Sequence, residues 1–391
     1  MSSAHRPNDC HNGGDESGCG RHCLSRCCLR LGDPRSDSAV SASLLHGSSS
    51  FDVLCDSSFF KAGKVEPQAN FLESLFKQWD DRKVKGLFHH DTNACETKSI
   101  PGRYGFIAHL IEGRDLKKRP TEFRIDEVLQ PFDENKFNFT KIGQEEVLFR
   151  FQESDNGNAS VITSESPNVS PIGYGHVLLI PCVLDCLPQR INKESFFLAM
   201  SMAKEANTPY FRVGYNSLGA FATINHLHFQ AFYLAETFAV EKAPIQTIAT
   251  LKTGVKISRL VDYPVRGLLF AGGSNFKDLS DTVSAACIFL QDSGIPYNVL
   301  ISDSGGRIFL LLQCFAEKRS RGEVSQEIVE TQMNPAAWEL SGYLVMKRRK
   351  DFEEASEDTV LSFLNQTSVS ASMFGGISES ILEALCDGFQ P

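Results

Sequence analysis

No stretch of the chain approaches the ~18 consecutive apolar residues that a membrane span requires, so no spanning helix is expected. The N-terminus lacks a charged region followed by an apolar core, so no secretory signal is read there and the cytosol is the expected compartment. Positive charge is not in excess. Lys and Arg number 39 against 48 Asp and Glu, a net −9 with no dominating basic stripe, which argues against nucleic acid as the main partner. None of the 12 cysteines forms a Cys-x-x-Cys pair, so no standard zinc pattern is present. Cys182, Cys186, Cys287 and Cys314 lie inside apolar segments and read as buried free thiols in a reducing compartment. No histidine follows His228, so any histidine chemistry must be done upstream of the last 40% or so of the chain.

What is present is a globular composition. The chain has 391 residues, 42% of them apolar, enough for two domains or one large core with tails. Residues 1–65 are rich in Ser, Gly, Asp and Cys, show no sustained period and read as a disordered segment. Within them Cys19-Gly20-Arg21-His22-Cys23-Leu24-Ser25-Arg26-Cys27-Cys28 is dense in metal-type ligands. Its spacing leaves zinc, lipidation and redox chemistry all open.

From Phe71 to Gly86, apolar residues at 71, 72, 75, 76 and 79 recur at helical spacing. Phe106–Leu110 and Val147–Phe151 read as strands, and the polar stretch 152–166, with Asn156-Gly157-Asn158, as an exposed loop. Lys117-Lys118-Arg119-Pro120 suits either a solvated loop or the neutralisation of phosphates. Ile191–Glu205 reads as a helix, and Pro209–Val213 opens a strand.

The stretch from Gly214 to Leu234 carries the chemistry. It begins Gly214-Tyr215-Asn216-Ser217-Leu218-Gly219, small and polar as a loop that approaches phosphate closely would be. It then alternates: His226, His228 and Gln230 share one face, Leu227, Phe229 and Ala231 the other. A period of two predicts a strand with one wet and one dry face. A solvent-facing strand or half a metal site fits this row. So does nucleophilic catalysis by imidazole on phosphorus, which is uncharged near neutral pH and able both to attack and to leave.

The second half repeats the order of the first. Val265–Phe270 parallels Tyr174–Ile180, Leu279–Gln291 parallels the Ile191 helix, and Pro296-Tyr297 parallels Pro209-Tyr210. A turn over 302–307 and a strand over 308–313 then stand where the histidine strand stood. The resulting division is a catalytic unit over 66–240, a degenerate second unit over 241–360 and a C-terminal tail over 361–391. A helix is expected around 335–350, with Asn334 as cap and Pro335 at its first position. Lys347-Arg348-Arg349-Lys350 fits a nuclear-entry signal, or, as the favoured reading, a helix C-terminus whose dipole suits cations.

The Gly175-His176 strand followed by a helix, then Asn216-x-x-Gly219 and His226-x-His228-x-Gln230, resembles the histidine-triad superfamily. Gln230 in place of a third histidine resembles its nucleotidyltransferase branch. Five blocks narrow the likeness: Tyr104–Ala108, Lys117–Arg124, Leu129–Asp133, Phe137-Asn138-Phe139-Thr140-Lys141 and Tyr215–Ala222. Together they resemble the GDP-L-galactose phosphorylases of the plant ascorbate pathway over roughly residues 75–360. The resemblance implies an α+β fold of two fused histidine-triad-like units, each an antiparallel sheet with helices packed on one side. It implies that His228 takes GMP from GDP-L-galactose and passes it to inorganic phosphate, with His226 orienting the site and Gln230 touching the phosphoryl group. Asn216, Ser217, Gly219, Arg119 and Lys141 are the expected substrate contacts. No cofactor, metal, nucleic acid or membrane is expected, and a homodimer is left open. A GDP-D-glucose phosphorylase, a nucleotidyl hydrolase of the same superfamily and a non-catalytic nucleotide-binding regulator are the alternatives.

Overall fold

Ile308-Phe309-Leu310-Leu311-Leu312 has no polar residue, so a strand built from it must be buried on both faces. The structure, a computed structural model, describes residues 40–42, 50–54, 71–89, 95–114, 123–124, 127–154, 162–167 and 170–387. Its strands are β1 (Val40–Ala42), β2 (Ser50–Leu54), β3 (Glu96–Ser99), β4 (Ile107–Leu110), β5 (Phe149–Ser154), β6 (Ile162–Pro167), β7 (Tyr174–Ile180) and β8 (Phe211–Asn216). Then follow β9 (Phe229–Tyr233), β10 (Ile245–Thr250), β11 (Val255–Leu260), β12 (Gly267–Gly272), β13 (Tyr297–Ser302), β14 (Arg307–Leu312) and β15 (Tyr343–Met346). Twelve of them form one sheet in the order β1-β2-β5-β6-β7-β9-β8-β13-β14-β12-β11-β10, every pair antiparallel. The remaining three form a small sheet, β15-β4-β3.

The internal repeat is visible in the strand order. β7-β9-β8 is followed by β13-β14-β12, the same unit met in reverse across the β8–β13 seam. Each unit places one long helix between its first strand and the next: Lys193–Glu205 in the first, Phe276–Asp292 in the second. Both helices start on an asparagine cap. Asn192 Oδ1 accepts from Ser195 N at 2.8 Å and Asn275 Oδ1 from Asp278 N at 2.9 Å. This is the α+β architecture of two fused units that the sequence implies.

Alternation along the central strands divides the interior into two layers. Val213, Tyr215, Phe229, Ala231, Ile308 and Leu310 join a core under the two long helices. Phe232, Leu300, Phe309 and Leu311 join a second core with Trp338, Leu344 and the small sheet on the opposite face. The helix Phe71–Val84 packs Leu75 and Trp79 into the first core, as its spacing predicts.

Several expectations are corrected. The described residues of the stretch 152–166, expected as an exposed loop, are strand, for β5 runs to Ser154 and β6 covers Ile162–Pro167. The single helix expected over 335–350 is instead a turn of helix Ala337–Leu340, strand β15 and a short helix Arg349–Glu353. Gly342, at φ +98°, stops the first helix, and the free edge of β4 captures Tyr343–Met346 in parallel register. Ala336, not Asn334, is the cap. The basic cluster lies at the start of a helix rather than its end, and its charges are met locally: Arg349 pairs with Glu96 at 2.7 Å and Glu112 at 3.0 Å, Arg348 with Asp351 at 2.6 Å. Within the stretch 361–391, expected as a tail, the helices Glu357–Thr367 and Ala371–Asp387 bury Phe363, Leu364 and Ile381. Within 1–65, β1 and β2 extend the sheet edge beyond β5, whereas Cys19–Cys28 lies outside the described residues. Cys287 and Cys314 are buried free thiols, while Cys182 and Cys186 are half-buried. Among the described residues no helix is long and apolar enough to cross a membrane.

Candidate functional site

Strand β9 begins at Phe229, so of the row His226, His228 and Gln230 only Gln230 lies on the strand itself. The cause is Gln189. The β8–β9 ladder runs from Phe211↔Tyr233 to Gly214↔Gln230. Past that rung the Gln189 amide occupies the place of a neighbouring strand. Its Nε2 donates to the Asn216 carbonyl at 3.0 Å and the His228 carbonyl at 3.1 Å, and its Oε1 accepts from His228 N at 2.9 Å. Leu227 N is held by the Leu187 carbonyl at 2.8 Å. The backbone stays extended and the alternation survives, with Leu227, Phe229 and Ala231 in the helix-side core.

The face expected to be wet is covered. His226 is 0% and His228 4% exposed. The cover is the loop before β5, whose Phe132 and Phe139 rings lie 5.4 and 5.5 Å from His226, with Phe139 also 5.1 Å from His228. Lys141 pins this loop by donating to the carbonyls of Lys136 at 2.7 Å and Asn135 at 3.3 Å. Its ammonium is thereby tied to the loop backbone.

The two imidazoles are fixed in opposite tautomers. Phe139 N donates to His226 Nδ1 at 3.0 Å, so His226 carries its proton on Nε2. Burial, and then the neighbouring His228, depress its pKa to about 3, so His226 is neutral at any working pH. His228 Nδ1 lies 2.8 Å from the His226 carbonyl. A carbonyl only accepts, so His228 holds its proton on Nδ1 and its lone pair on Nε2. That is the tautomer an attacking imidazole needs.

Gln230 is oriented from the second half of the chain. Trp338 Nε1 lies 3.4 Å from Gln230 Oε1, and an indole can only donate, so the Gln230 NH₂ faces the other way. The indole covers Gly214, the rung partner of Gln230, where a Cβ would stand 2.9 Å from Trp338. Asn216 Oδ1 accepts from Asn298 Nδ2 at 2.7 Å and from Ala337 N at 2.9 Å, which leaves its Nδ2 donors without a partner among the described residues. Ser217 serves the seam: its Oγ accepts from Tyr297 N at 3.0 Å and its amide donates to the Tyr297 carbonyl at 3.1 Å. Gly219 makes the turn at φ +78°, with Val128 and Pro296 packed against it. Arg119 lies outside the described residues. Among the described residues no group of three His, Cys, Asp or Glu side chains gathers as metal ligands.

Three site residues escape the sequence reading. Gln189 sits in Pro188-Gln189-Arg190, which carries no motif at all. Trp338 and Asn298 act across the seam between the halves, which periodicity within one strand cannot register. Phe139 was within reach, because it lies in one of the blocks that carry the resemblance.

The chain is similar to known proteins over most of its length. The model of the family described as "GDPGP1-like, N-terminal domain" matches residues 70–232, and that of "GDPGP1-like, C-terminal domain" matches residues 239–388. GDP-L-galactose phosphorylase 2 of Arabidopsis thaliana is 54% identical over 95% of this chain and 86% of its own length. GDP-D-glucose phosphorylase 1 of Homo sapiens is 33% identical over 76% of this chain and 79% of its own. Among solved structures, yeast Ap4A phosphorylase Apa2 in complex with Ap4A shares the fold at a TM-score of 0.52 and 16% identity, covering 77% of this chain and 99% of that one.

Proposed function

The chain belongs to the GDPGP1-like family, and from that premise we propose that it is a GDP-hexose phosphorylase acting on GDP-L-galactose. The reaction takes GDP-L-galactose and inorganic phosphate to L-galactose 1-phosphate and GDP. The observation that carries the mechanism is the 2.8 Å contact between His228 Nδ1 and the His226 carbonyl, because it sets the lone pair on Nε2.

In the first half-reaction His228 Nε2 attacks the α-phosphorus. The bond from that phosphorus to the bridging oxygen breaks, and L-galactose 1-phosphate leaves with the bond's electron pair. GMP is then held on Nε2, and the positive charge on the ring is spread toward Nδ1–H, where the carbonyl of His226 accepts. In the second half-reaction an oxygen of inorganic phosphate attacks the same phosphorus, Nε2 departs with its lone pair, and GDP forms. The Gln230 NH₂, the Asn216 Nδ2 and the turn around Gly219 are the donors proposed for the non-bridging oxygens. Ser217 holds that turn against β13, and Lys141 holds the covering loop. Arg119 remains the proposed cationic contact for the diphosphate. His226 is a positioning residue, because burial keeps its ring neutral and its Nδ1 lone pair is committed to Phe139 N.

The catalytic unit is proposed to span residues 66–240 and the second, histidine-free unit 241–360, contributing Trp338, Ala337 and Asn298 as the far wall. The cytosol is the proposed compartment. A product assay tests the reading: with GDP-L-galactose, GDP-glucose and GDP-mannose, product should be GDP, should require phosphate and should form fastest from GDP-L-galactose. GMP as the product points to a hydrolase instead. Fastest turnover of GDP-glucose assigns the chain the activity named in its relatives at about one-third identity.

A further inference from the structure

A cleft of about 180 Å³ lies between the loop that covers the histidines and the segment Thr223–Asn225. We propose that this cleft receives the guanine base and that Glu127 reads its N1–H and N2–H₂ edge. The proposal rests on the phosphorylase reading above, and it names the part of the site that selects the base.

Position supports it first. Asn225, on the cleft wall, is followed directly by His226. Phe137, on the opposite wall, lies 6.0 Å from Phe139, the ring that packs on His228. A nucleotide whose α-phosphorus meets His228 carries its base one sugar away, and the cleft begins one residue from the histidine pair. The wall is also mechanically joined to the nucleophile. Asn225 Nδ2 donates to the Gln130 and Pro131 carbonyls, at 3.2 and 2.8 Å, while its Oδ1 accepts from Gln189 N at 2.9 Å. Gln189 in turn holds His228.

The lining chemistry suits a purine. Phe123 and Phe137 offer aromatic faces or edges for stacking. Of the polar groups, Gln130 and Asn225 are spent on the wall itself, since Gln130 Nε2 donates to the Arg124 and Glu127 carbonyls at 2.7 and 2.9 Å. Asp133 Oδ1 already accepts from Asn135, from N at 3.0 Å and from Nδ2 at 3.2 Å. Glu127 is engaged through Oε1 alone, by Arg124 at 2.6 Å, with both side chains well exposed. A carboxylate accepts two parallel donors and donates none. Guanine presents two such donors side by side. Adenine presents an acceptor at N1, uracil one donor between two carbonyls, and hypoxanthine lacks the 2-amino group.

The test is calorimetric titration of the full chain with GDP, IDP and ADP, repeated on Glu127→Gln and Asp133→Asn. The parent should bind GDP about tenfold or more tightly over IDP, the loss expected for one hydrogen bond to a charged group. Glu127→Gln should bring GDP and IDP to within about threefold, and Asp133→Asn should keep the preference. Full discrimination by Glu127→Gln overturns the assignment, as does its loss in Asp133→Asn alone. Labelling of the parent protein by GDP-hexose carrying a radioactive α-phosphate is read in parallel. Label with undiminished discrimination in Glu127→Gln removes only this proposal, whereas a parent that binds no GDP and takes no label removes the phosphorylase reading with it.

Discussion

Two histidines two residues apart hold opposite tautomers because different backbone groups meet their Nδ1 atoms. An amide donates to His226 and a carbonyl accepts from His228. The alternation in the sequence placed both on one face, and that much was legible. Their burial was not, because the covering rings Phe132 and Phe139 come from far upstream. Burial has a measurable consequence at His226. Its folded pKa, about 3, lies below the ordinary 6.5, so the fold favours the neutral ring. Stability from this group is therefore complete above pH 6.5 and is lost as pH falls from 6.5 toward 3, by up to about 1.4 kcal/mol per pH unit. His226→Gln, which keeps an acceptor for Phe139 N but cannot be protonated, should show a shallower loss between pH 6 and 4. Urea unfolding across that range checks it, and an unchanged slope contradicts the assignment of a buried neutral His226.

At the scale of elements, the strands and long helices of both units follow from period and capping, and the sequence reading found most of them. It failed where a distant partner decides. Tyr343-Leu344-Val345-Met346 is strand because β4 offers an edge, and β9 starts late because a side chain replaces a strand. Gln189 is the element-level device of the site. Gln189→Leu removes a donor from two buried carbonyls and an acceptor from His228 N, and should destabilise the protein by about 2–4 kcal/mol. The turnover number should fall as well, because His228 loses its backbone anchor. Gln189→Glu, which keeps only the acceptor, should lie between the two. Stability and turnover close to the parent in Gln189→Leu would show that the neighbouring strands position His228 unaided.

At the scale of the whole molecule, the histidines sit in one unit and the groups that orient their neighbours come from the other. Asn298 and Ala337 hold Asn216, and Trp338 holds the Gln230 amide. The repeat was legible as order and offset, but the seam across which β8 pairs with β13 was not, since nothing in either unit alone specifies its partner edge. Trp338→Phe keeps an aromatic ring over Gly214 and deletes the indole donor. It should lower the turnover number about tenfold with little change in KM, the mark of a contact that matters mainly in the transition state. An equal rise in KM with unchanged turnover would assign Trp338 to ground-state binding.

The central claim is a covalent intermediate on His228, and rapid-quench labelling reaches it most directly. Protein mixed with GDP-hexose radioactive in the α-phosphate, without inorganic phosphate, should take up acid-labile, alkali-stable label, as a phosphoramidate does. His228→Asn, folded, should take up none. Added phosphate should discharge the label as GDP. A parent protein that never carries label, or that discharges it only as GMP, would contradict the account.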